Sequence, residues 1–126
     1  MKKTILILDD DAIFRSTLLK TKLEEWGHHV LEAGKAREAV AVLTGNRVDL
    51  MIVDGLLPDK TGVEFIKAVR EVGYRTPIIF VSALYKDMAT YQQLSDLGVS
   101  HMLSKPIEIE DLREKIAAIF SEDEAL

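Results

Sequence analysis

The sequence has 126 residues, of which 48% are hydrophobic and 29% charged, and it contains no cysteine. This is enough chain for one domain with its own core, and without thiols there is neither a disulfide framework nor thiolate chemistry. The net charge of −5 and the lack of a dense Lys/Arg cluster argue against nucleic acid as a partner, because that affinity depends on neutralising phosphates. No apolar run approaches the roughly 20 residues that cross a bilayer, so we expect no membrane partner. The absence of cysteine fits the cytoplasmic location that we expect.

Five short apolar runs, rich in Ile, Val and Leu, predict β-strands at 4–8, 29–33, 50–54, 77–82 and 101–104. The runs hardly alternate with polar residues, which is typical of strands in a parallel sheet that is covered on both faces. The first run has only five apolar residues before it meets three aspartates. A signal peptide needs about 7–15 apolar residues, so we interpret this run as the first strand.

Amphipathic segments predict helices at 11–26, 36–44, 62–72, 86–97 and 108–121, with the fourth pattern the weakest. Gly27, Gly45 and Gly73 follow the first three helices as stop signals. The positions predicted to face the sheet include Phe14, Leu18 and Leu23, then Ala36, Ala39, Val40 and Leu43, then Phe65, Ile66, Val69 and Val72. Five strand–helix units with no repeat and no linker predict one α/β domain over 1–121 with a doubly wound parallel sheet. Residues 122–126 are interpreted as an acidic tail or the start of a linker.

Polar side chains stand where the predicted strands end. Asp9 and Asp10 follow the first strand, Asp54 ends the third, Ser82 ends the fourth and Lys105 follows the fifth. Ligands of doubly wound sheets bind outside the carboxyl ends of the strands, so we expect these side chains to converge on one edge. Three neighbouring carboxylates repel one another unless a cation lies among them, and oxygen donors without Cys or His favour a hard ion such as Mg²⁺.

Each of these residues also has an ordinary structural interpretation. Residues 9–11 could simply begin a helix, where acids favour the dipole and aspartate caps the first turn. Asp54 could be a turn residue in DGLLPDKTG, Ser82 a helix cap and Lys105 a solvated lysine. Taken together, however, acids at two strand ends, a hydroxyl at a third and a lysine at a fourth predict a phosphate site built around one carboxylate.

The same motifs resemble those of the response-regulator receiver domain of two-component signalling, over residues 3–121. They are ILDDD with Arg15, VDGLLPDKTG with Asp54, Pro58 and Gly62, VSA at 81–83 and SKP at 104–106. The resemblance implies a flavodoxin-like, five-stranded parallel sheet in the order 2-1-3-4-5 with five helices. It also implies a bacterial, cytoplasmic signalling phosphoprotein that promotes its own phosphorylation and dephosphorylation but turns over no external substrate.

The resemblance implies roles around a metal. Asp54 would be the phospho-acceptor and would also contact the ion. Asp10 would bind Mg²⁺, or alternatively Mn²⁺, directly, and Asp9 would bind it through water. The backbone carbonyl of Leu56 would complete the protein's share of the metal shell.

It also implies roles for the remaining residues and for partners. Ser82 would hydrogen-bond the phosphoryl group, and Lys105 would pair with it and precede Pro106 through a cis peptide bond. The donor would be a sensor histidine kinase, a phosphotransfer protein or a small acyl phosphate. We expect kinase docking around the first helix, at Ile13 and Phe14, and an output surface made by helix 4, strand 5 and helix 5, through which a homodimer is also an option.

The sequence departs from the usual pattern of the family at a few positions. Thr61 stands where an acid usually precedes the glycine, and Met102 stands where an aromatic residue usually lies three residues before the lysine. Leu56 and Leu84 are apolar where polar groups often border the phosphoryl site. We therefore expect an altered switch at Met102 and a long-lived phosphorylated state.

Two other functions are alternatives. The first is a small phosphohydrolase of the haloacid-dehalogenase type, in which Asp9 and Asp11 would form an Asp-x-Asp nucleophile motif. That reading leaves Asp54 without a role and lacks a second acidic pair after Lys105. The second is an interaction domain with a degenerate site. Labelling of Asp54 rather than Asp9 separates the receiver from the hydrolase, and Mg²⁺ binding argues against a degenerate site.

Overall fold

A computed structural model of the chain describes residues 2–83 and 88–125, the last four by their backbone only. The strands are β1 (Thr4–Leu8), β2 (His29–Ala33), β3 (Leu50–Asp54), β4 (Ile78–Ser82) and β5 (His101–Ser104). The helices are α1 (Lys20–Glu25), α2 (Ala36–Gly45), α3 (Gly62–Glu71), α4 (Met88–Asp96) and α5 (Ile109–Ala125). A π-helical segment, Ile13–Leu19, runs directly into α1. No helix in the described ranges combines the length and apolar character needed to cross a membrane.

The five strands form one parallel sheet in the order β2-β1-β3-β4-β5, which confirms the predicted topology. Alternate residues of a strand point to opposite faces, and β1 shows both layers of the core. Leu6 and Leu8 pack in the layer that contains side chains of α2, α3 and α4, whereas Ile5 and Ile7 pack in the layer of α1 and α5. All four side chains are fully buried. Burial on both faces explains why this strand shows no polar alternation.

One residue predicted for the inner face of the first helix is wrong. Leu18 was predicted to face the sheet, but its relative exposure is 39%, whereas Leu19 is fully buried. A π-helical turn holds more residues than an α-helical turn, so the segment Ile13–Leu19 moves the buried position away from the α-helical spacing. Gly27 ends this helix as predicted, with a φ of 94° that favours glycine.

Two other residues assigned to the inner face are exposed. Val40 in α2 and Val72 after α3 have relative exposures of 45% and 74%. Val40 lies beside the buried Ala39 at the margin of the stripe, and Val72 caps the carboxyl end of α3, where the helix leaves the sheet. α4 buries Leu94 fully but leaves Met88 exposed. The start predicted for this helix at 86, together with Leu84 and Tyr85, lies outside the described residues.

Candidate functional site

The carboxyl ends of four strands bring the predicted polar residues together. Asp9 follows β1, Asp54 ends β3, Ser82 ends β4 and Lys105 follows β5. Asp9 and Asp54 are the buried charged residues of the described chain, with relative exposures of 3% and 7%. Because a buried carboxylate is costly without a partner, these two positions need compensating positive charge.

Lys105 supplies part of that charge. Its Nζ donates a hydrogen bond to Oδ2 of Asp9 at 3.0 Å and lies 3.6 Å from Oδ2 of Asp54. Its backbone N–H donates to the Ser82 carbonyl at 3.0 Å, which ties β5 to the end of β4. The Lys105–Pro106 peptide bond is cis, as predicted. The ammonium also lies 4.7 Å from the centre of the Phe14 ring, a cation–π contact that the sequence did not reveal.

The pKa shifts show how the charges interact. Burial raises the pKa of Asp54, and the negative charge of Asp9 raises it further, against the opposing effects of Lys105 and of the Leu56 backbone N–H. Burial alone would lower the pKa of Lys105, but its hydrogen bond and charge pair with Asp9, followed by Asp54, raise it. The ammonium is therefore firmly charged, while the carboxylate of Asp54 remains short of compensation.

Three carboxylates form a cluster suited to a cation. Oxygens of Asp9, Asp10 and Asp54 lie within 4.8 Å of one another, with Asp10 exposed and the other two buried. All are hard oxygen donors, the class that Mg²⁺ prefers, and an added cation would relieve the repulsion that raises the pKa of Asp54. The residues present therefore fit a magnesium ion. A surface cleft of ≈ 380 Å³ reaches Asp54 past Leu56 and Lys105.

Tight packing behind Asp54 explains the two glycines around it. Gly62 donates its N–H to the Gly55 carbonyl at 2.9 Å and closes the loop that follows β3. A Cβ at Gly62 would lie 2.3 Å from the Asp54 carbonyl oxygen, and one at Gly55 would lie 2.9 Å from the Phe80 ring. These positions therefore have no room for a side chain, and the backbone of α3 can approach the acceptor strand directly.

Thr61 has a clear local role in place of the usual acid. Its hydroxyl accepts a hydrogen bond from the Glu64 N–H at 3.1 Å, and the Glu64 carboxylate accepts from the Thr61 N–H at 2.9 Å. This reciprocal pair is a capping box, which satisfies free N–H groups in the first turn of α3. The departure from the family pattern thus preserves the helix start next to the site.

Asp59 is a structural residue that the sequence analysis missed. Its carboxylate accepts hydrogen bonds from the N–H groups of Ala36 and Arg37 at 2.9 and 3.0 Å, and these bonds lower its pKa. It therefore caps α2 from a distant loop. The one available signal is that Lys35, directly before α2, has no acceptor with which to cap the helix itself.

The third aspartate of the first motif, Asp11, caps the first turn of a helix, which is the structural alternative given for this motif. Asp11 Oδ1 accepts from the Phe14 N–H at 3.1 Å and caps the first helix. The Asp11 N–H in turn donates to Asp9 Oδ1 at 2.9 Å. Arg15 reaches back to the Asp9 carbonyl at 2.5 Å and pairs with Glu32 at 3.0 Å. Asp9 is thus held by its neighbours, and Glu32 is a further residue that sequence reasoning missed.

The arrangement lies at the carboxyl edge of a doubly wound α/β sheet, the edge at which ligands of such sheets bind. The family model for the response regulator receiver domain matches residues 5–117. The chain therefore belongs to the family of response regulator receiver domains, which are signalling domains.

Similar proteins agree with that assignment. The transcriptional regulatory protein CrdR of Helicobacter pylori is 33% identical over 124 residues, covering 98% of this chain and 57% of the relative. The transcriptional regulatory protein CpxR of Escherichia coli K12 is 34% identical over 115 residues, covering 91% and 48%. The chain thus spans about half the length of these curated relatives.

Solved structures show the same fold. A CheY-like receiver domain from Methanospirillum hungatei JF-1 superposes with a TM-score of 0.88 at 32% identity, covering 99% of this chain and 98% of that chain. The receiver domain of the Francisella response regulator 1452 superposes with a TM-score of 0.87 at 27% identity, covering 96% and 98%.

Proposed function

We propose that this receiver domain accepts a phosphoryl group on Asp54 from a phosphohistidine or a small acyl phosphate, with Mg²⁺, and thereby changes its partner-binding surface. The observation that carries the proposal is the position of Asp54. It is a nearly buried carboxylate that a surface cleft still reaches, with a cation 3.6 Å away and two further acids within 4.8 Å.

In the proposed transfer, a carboxylate oxygen of Asp54 attacks the phosphorus of the donor. The new O–P bond forms as the P–N bond to the histidine breaks, and the imidazole nitrogen keeps the electron pair and takes a proton from solvent. Lys105 pairs with a phosphoryl oxygen, and the Ser82 hydroxyl donates a hydrogen bond to another. Both positions line the same cleft as Asp54, which supports these roles.

Asp9, Asp10 and Asp54, with the Leu56 carbonyl, are the groups proposed to hold the metal. When bound, Mg²⁺ would neutralise charge on the phosphoryl oxygens during transfer. The raised pKa of Asp54 has a related consequence. The acceptor must be ionised to act as a nucleophile, so a nearby cation favours the reactive form by lowering that pKa again.

The contacts of Asp9 argue against the hydrolase alternative. One of its carboxylate oxygens accepts from Lys105 and the other from the Asp11 N–H. Asp11 itself caps a helix through Phe14. The two acids of the Asp-x-Asp pattern are thus engaged in local structure, whereas Asp54 faces the cleft. A degenerate site is disfavoured because Asp10, Ser82 and Lys105 line the same cleft as Asp54.

Kinase docking is proposed around Ile13 and Phe14. Ile13 is 76% exposed, a large apolar side chain next to the acid cluster, which is a feature of interaction surfaces. Phe14 also contacts Lys105, so Phe14→Ala must be tested with two donors. Docking predicts slower transfer from the cognate kinase but unchanged labelling by a small acyl phosphate. Slower labelling by both donors assigns the effect to Lys105 instead. The surface of α4, β5 and α5 is retained as the proposed output and dimer surface.

The central experiment is labelling with an acyl phosphate in the presence of Mg²⁺, followed by mapping of the labelled peptide. We expect label on Asp54, none in Asp54→Asn, and little without divalent metal. Asp96→Asn, an exposed aspartate on α4, is the matched control and should label like the wild type. Label on Asp9, or equal labelling of Asp54→Asn, would refute the proposal.

A further inference from the structure

A second pocket lies at the opposite edge of the sheet from the candidate phosphorylation site. Lys3 directly precedes β1 and His28 directly precedes β2, so both stand at the amino ends of the strands. Trp26, at the end of α1, and Arg113 and Phe120, on α5, close the sides. The pocket has a volume of ≈ 360 Å³, within the ≈ 300–1,000 Å³ usual for small-molecule sites.

Basic side chains in this pocket are held against aromatic rings. The Arg113 guanidinium lies 5.4 Å from the centre of the Trp26 ring, and Lys3 Nζ lies 5.4 Å from the centre of the Phe120 ring. His28 packs against the same Phe120 with ring centres 5.5 Å apart. These contacts fix cations beside flat apolar walls, and they order the side chains before any ligand arrives.

The pocket is locally positive in a chain whose net charge is −5. Its lining, within the described residues, contains three basic side chains and no Asp or Glu. Burial lowers the pKa of His28, and the positive charge of Lys3 lowers it further. The buried Nδ1 of His28 has no hydrogen-bond partner in the described structure. The imidazole therefore sits in a positive, partly dehydrated setting that favours a negative ligand.

We propose that this pocket binds a small aromatic carboxylate. The ligand's ring would lie between the Trp26 and Phe120 side chains, and its carboxylate would meet Arg113, with Lys3 and His28 nearby. A carboxylate suits the guanidinium because the two can form paired, charge-assisted hydrogen bonds, and a single ring suits the volume. The proposal does not depend on phosphorylation of Asp54, since the two sites occupy opposite edges of the sheet.

Trp26 makes the proposal directly measurable, because it is the chain's only tryptophan. Benzoate is titrated into the full chain while Trp26 fluorescence is followed, and backbone amide NMR shifts at His28 and Ala117 provide a second readout. We expect a saturable change in both. Benzamide, which has the ring but no charge, should have an affinity at least about tenfold lower than that of benzoate. Inorganic phosphate should also bind more weakly than benzoate, because it has no ring.

Variants test the electrostatic part. Arg113 is exposed, so Arg113→Gln should fold normally and weaken benzoate binding about tenfold. Lys67→Gln removes the same charge from the exposed face of α3 and should bind benzoate like the wild type.

Three results would overturn the inference. The first is the absence of any saturable change in both readouts. The second is equal binding of benzoate to the wild type and to Arg113→Gln, or of benzoate and benzamide to the wild type, since either removes the charge argument. The third is equal binding of inorganic phosphate and benzoate, which removes the role of the aromatic walls.

Discussion

Asp54→Asn should stabilise the metal-free protein while removing its proposed phosphoryl acceptor. The wild-type carboxylate is nearly buried, and both burial and the charge of Asp9 raise its pKa. Ionised Asp54 is thus a source of instability at neutral pH when no cation is present. Asparagine has almost the same shape as aspartate and keeps a side-chain oxygen acceptor, so the substitution removes the charge with little change in packing.

The size of the effect follows from opposing charge interactions. At an effective dielectric constant of about 20, a like charge no more than 4.8 Å away costs at least about 3.5 kcal/mol, and the Lys105 ammonium at 3.6 Å returns about 4.6 kcal/mol. The lysine therefore roughly offsets Asp9. Asp10 is exposed, so its repulsion is largely screened, and the burial of the carboxylate remains uncompensated. We expect Asp54→Asn to raise the free energy of unfolding by about 1–2 kcal/mol.

The assay is urea unfolding followed by circular dichroism, with EDTA and then with saturating Mg²⁺. Magnesium should bind the folded wild type and so reduce the difference in free energy of unfolding between the two proteins. This difference should also decrease toward acid pH. A raised pKa means that the folded wild type binds a proton more readily than the unfolded chain, so the wild type gains stability as pH falls through that pKa. The exposed control Asp111→Asn should change stability little. Equal or lower stability of Asp54→Asn in EDTA would refute the reasoning.

Three further predictions concern residues around the site. Gly62→Ala should lower the free energy of unfolding by about 3 kcal/mol, because its Cβ would overlap the Asp54 carbonyl. A decrease of less than about 1 kcal/mol, measured by urea unfolding, would contradict that contact. Burial raises the pKa of Glu32, but hydrogen bonds from Ser16 and Arg15, together with the charges of Lys20 and Arg15, outweigh it and lower that pKa. Glu32→Gln should therefore have a lower free energy of unfolding than the wild type at neutral pH. This difference should disappear as the pH falls below about 4.3, the usual value of a free glutamate, and through the lowered pKa of the folded state. A difference in stability that does not depend on pH would count against this pairing. Leu56→Asn should release the proposed phosphoryl group several-fold faster, because Leu56 is exposed at the rim of the cleft and its amide replacement can orient water; equal rates of label loss would refute the idea. The companion position for that last test, Leu84, lies outside the described residues.

The sheet was predictable from sequence because its strands are buried on both faces. Runs such as Leu50–Asp54 contain no polar alternation, and the observed β3 has the predicted bounds. The convergence of Asp9, Asp54, Ser82 and Lys105 followed from topology, since parallel strands place their carboxyl ends on one edge. The predicted roles of these residues came instead from the family resemblance, and they remain to be tested by labelling.

What sequence reasoning missed depends on contacts between distant segments or on irregular backbone. Leu19 is buried where Leu18 was predicted to be, because this segment is π-helical and an α-helical periodicity does not anticipate that. The pairing of Arg15 with Glu32 joins the first helix to β2, and neither residue carries a local signal of the other. Such contacts appear only once the sheet order brings the two elements together.

The loop after β3 shows how such hidden contacts bear on the proposed chemistry. Thr61 caps α3 from one end of the loop, Asp59 caps α2 from its middle, and Gly62 closes it onto Gly55. Each bond satisfies backbone groups that would otherwise need water, so the loop is anchored to two helices and to the strand that carries Asp54. A phosphoryl acceptor gains from such anchoring, because transfer depends on holding reacting groups in place. The turn residues of DGLLPDKTG are therefore best understood as the support that holds the Asp54 side chain at the cleft.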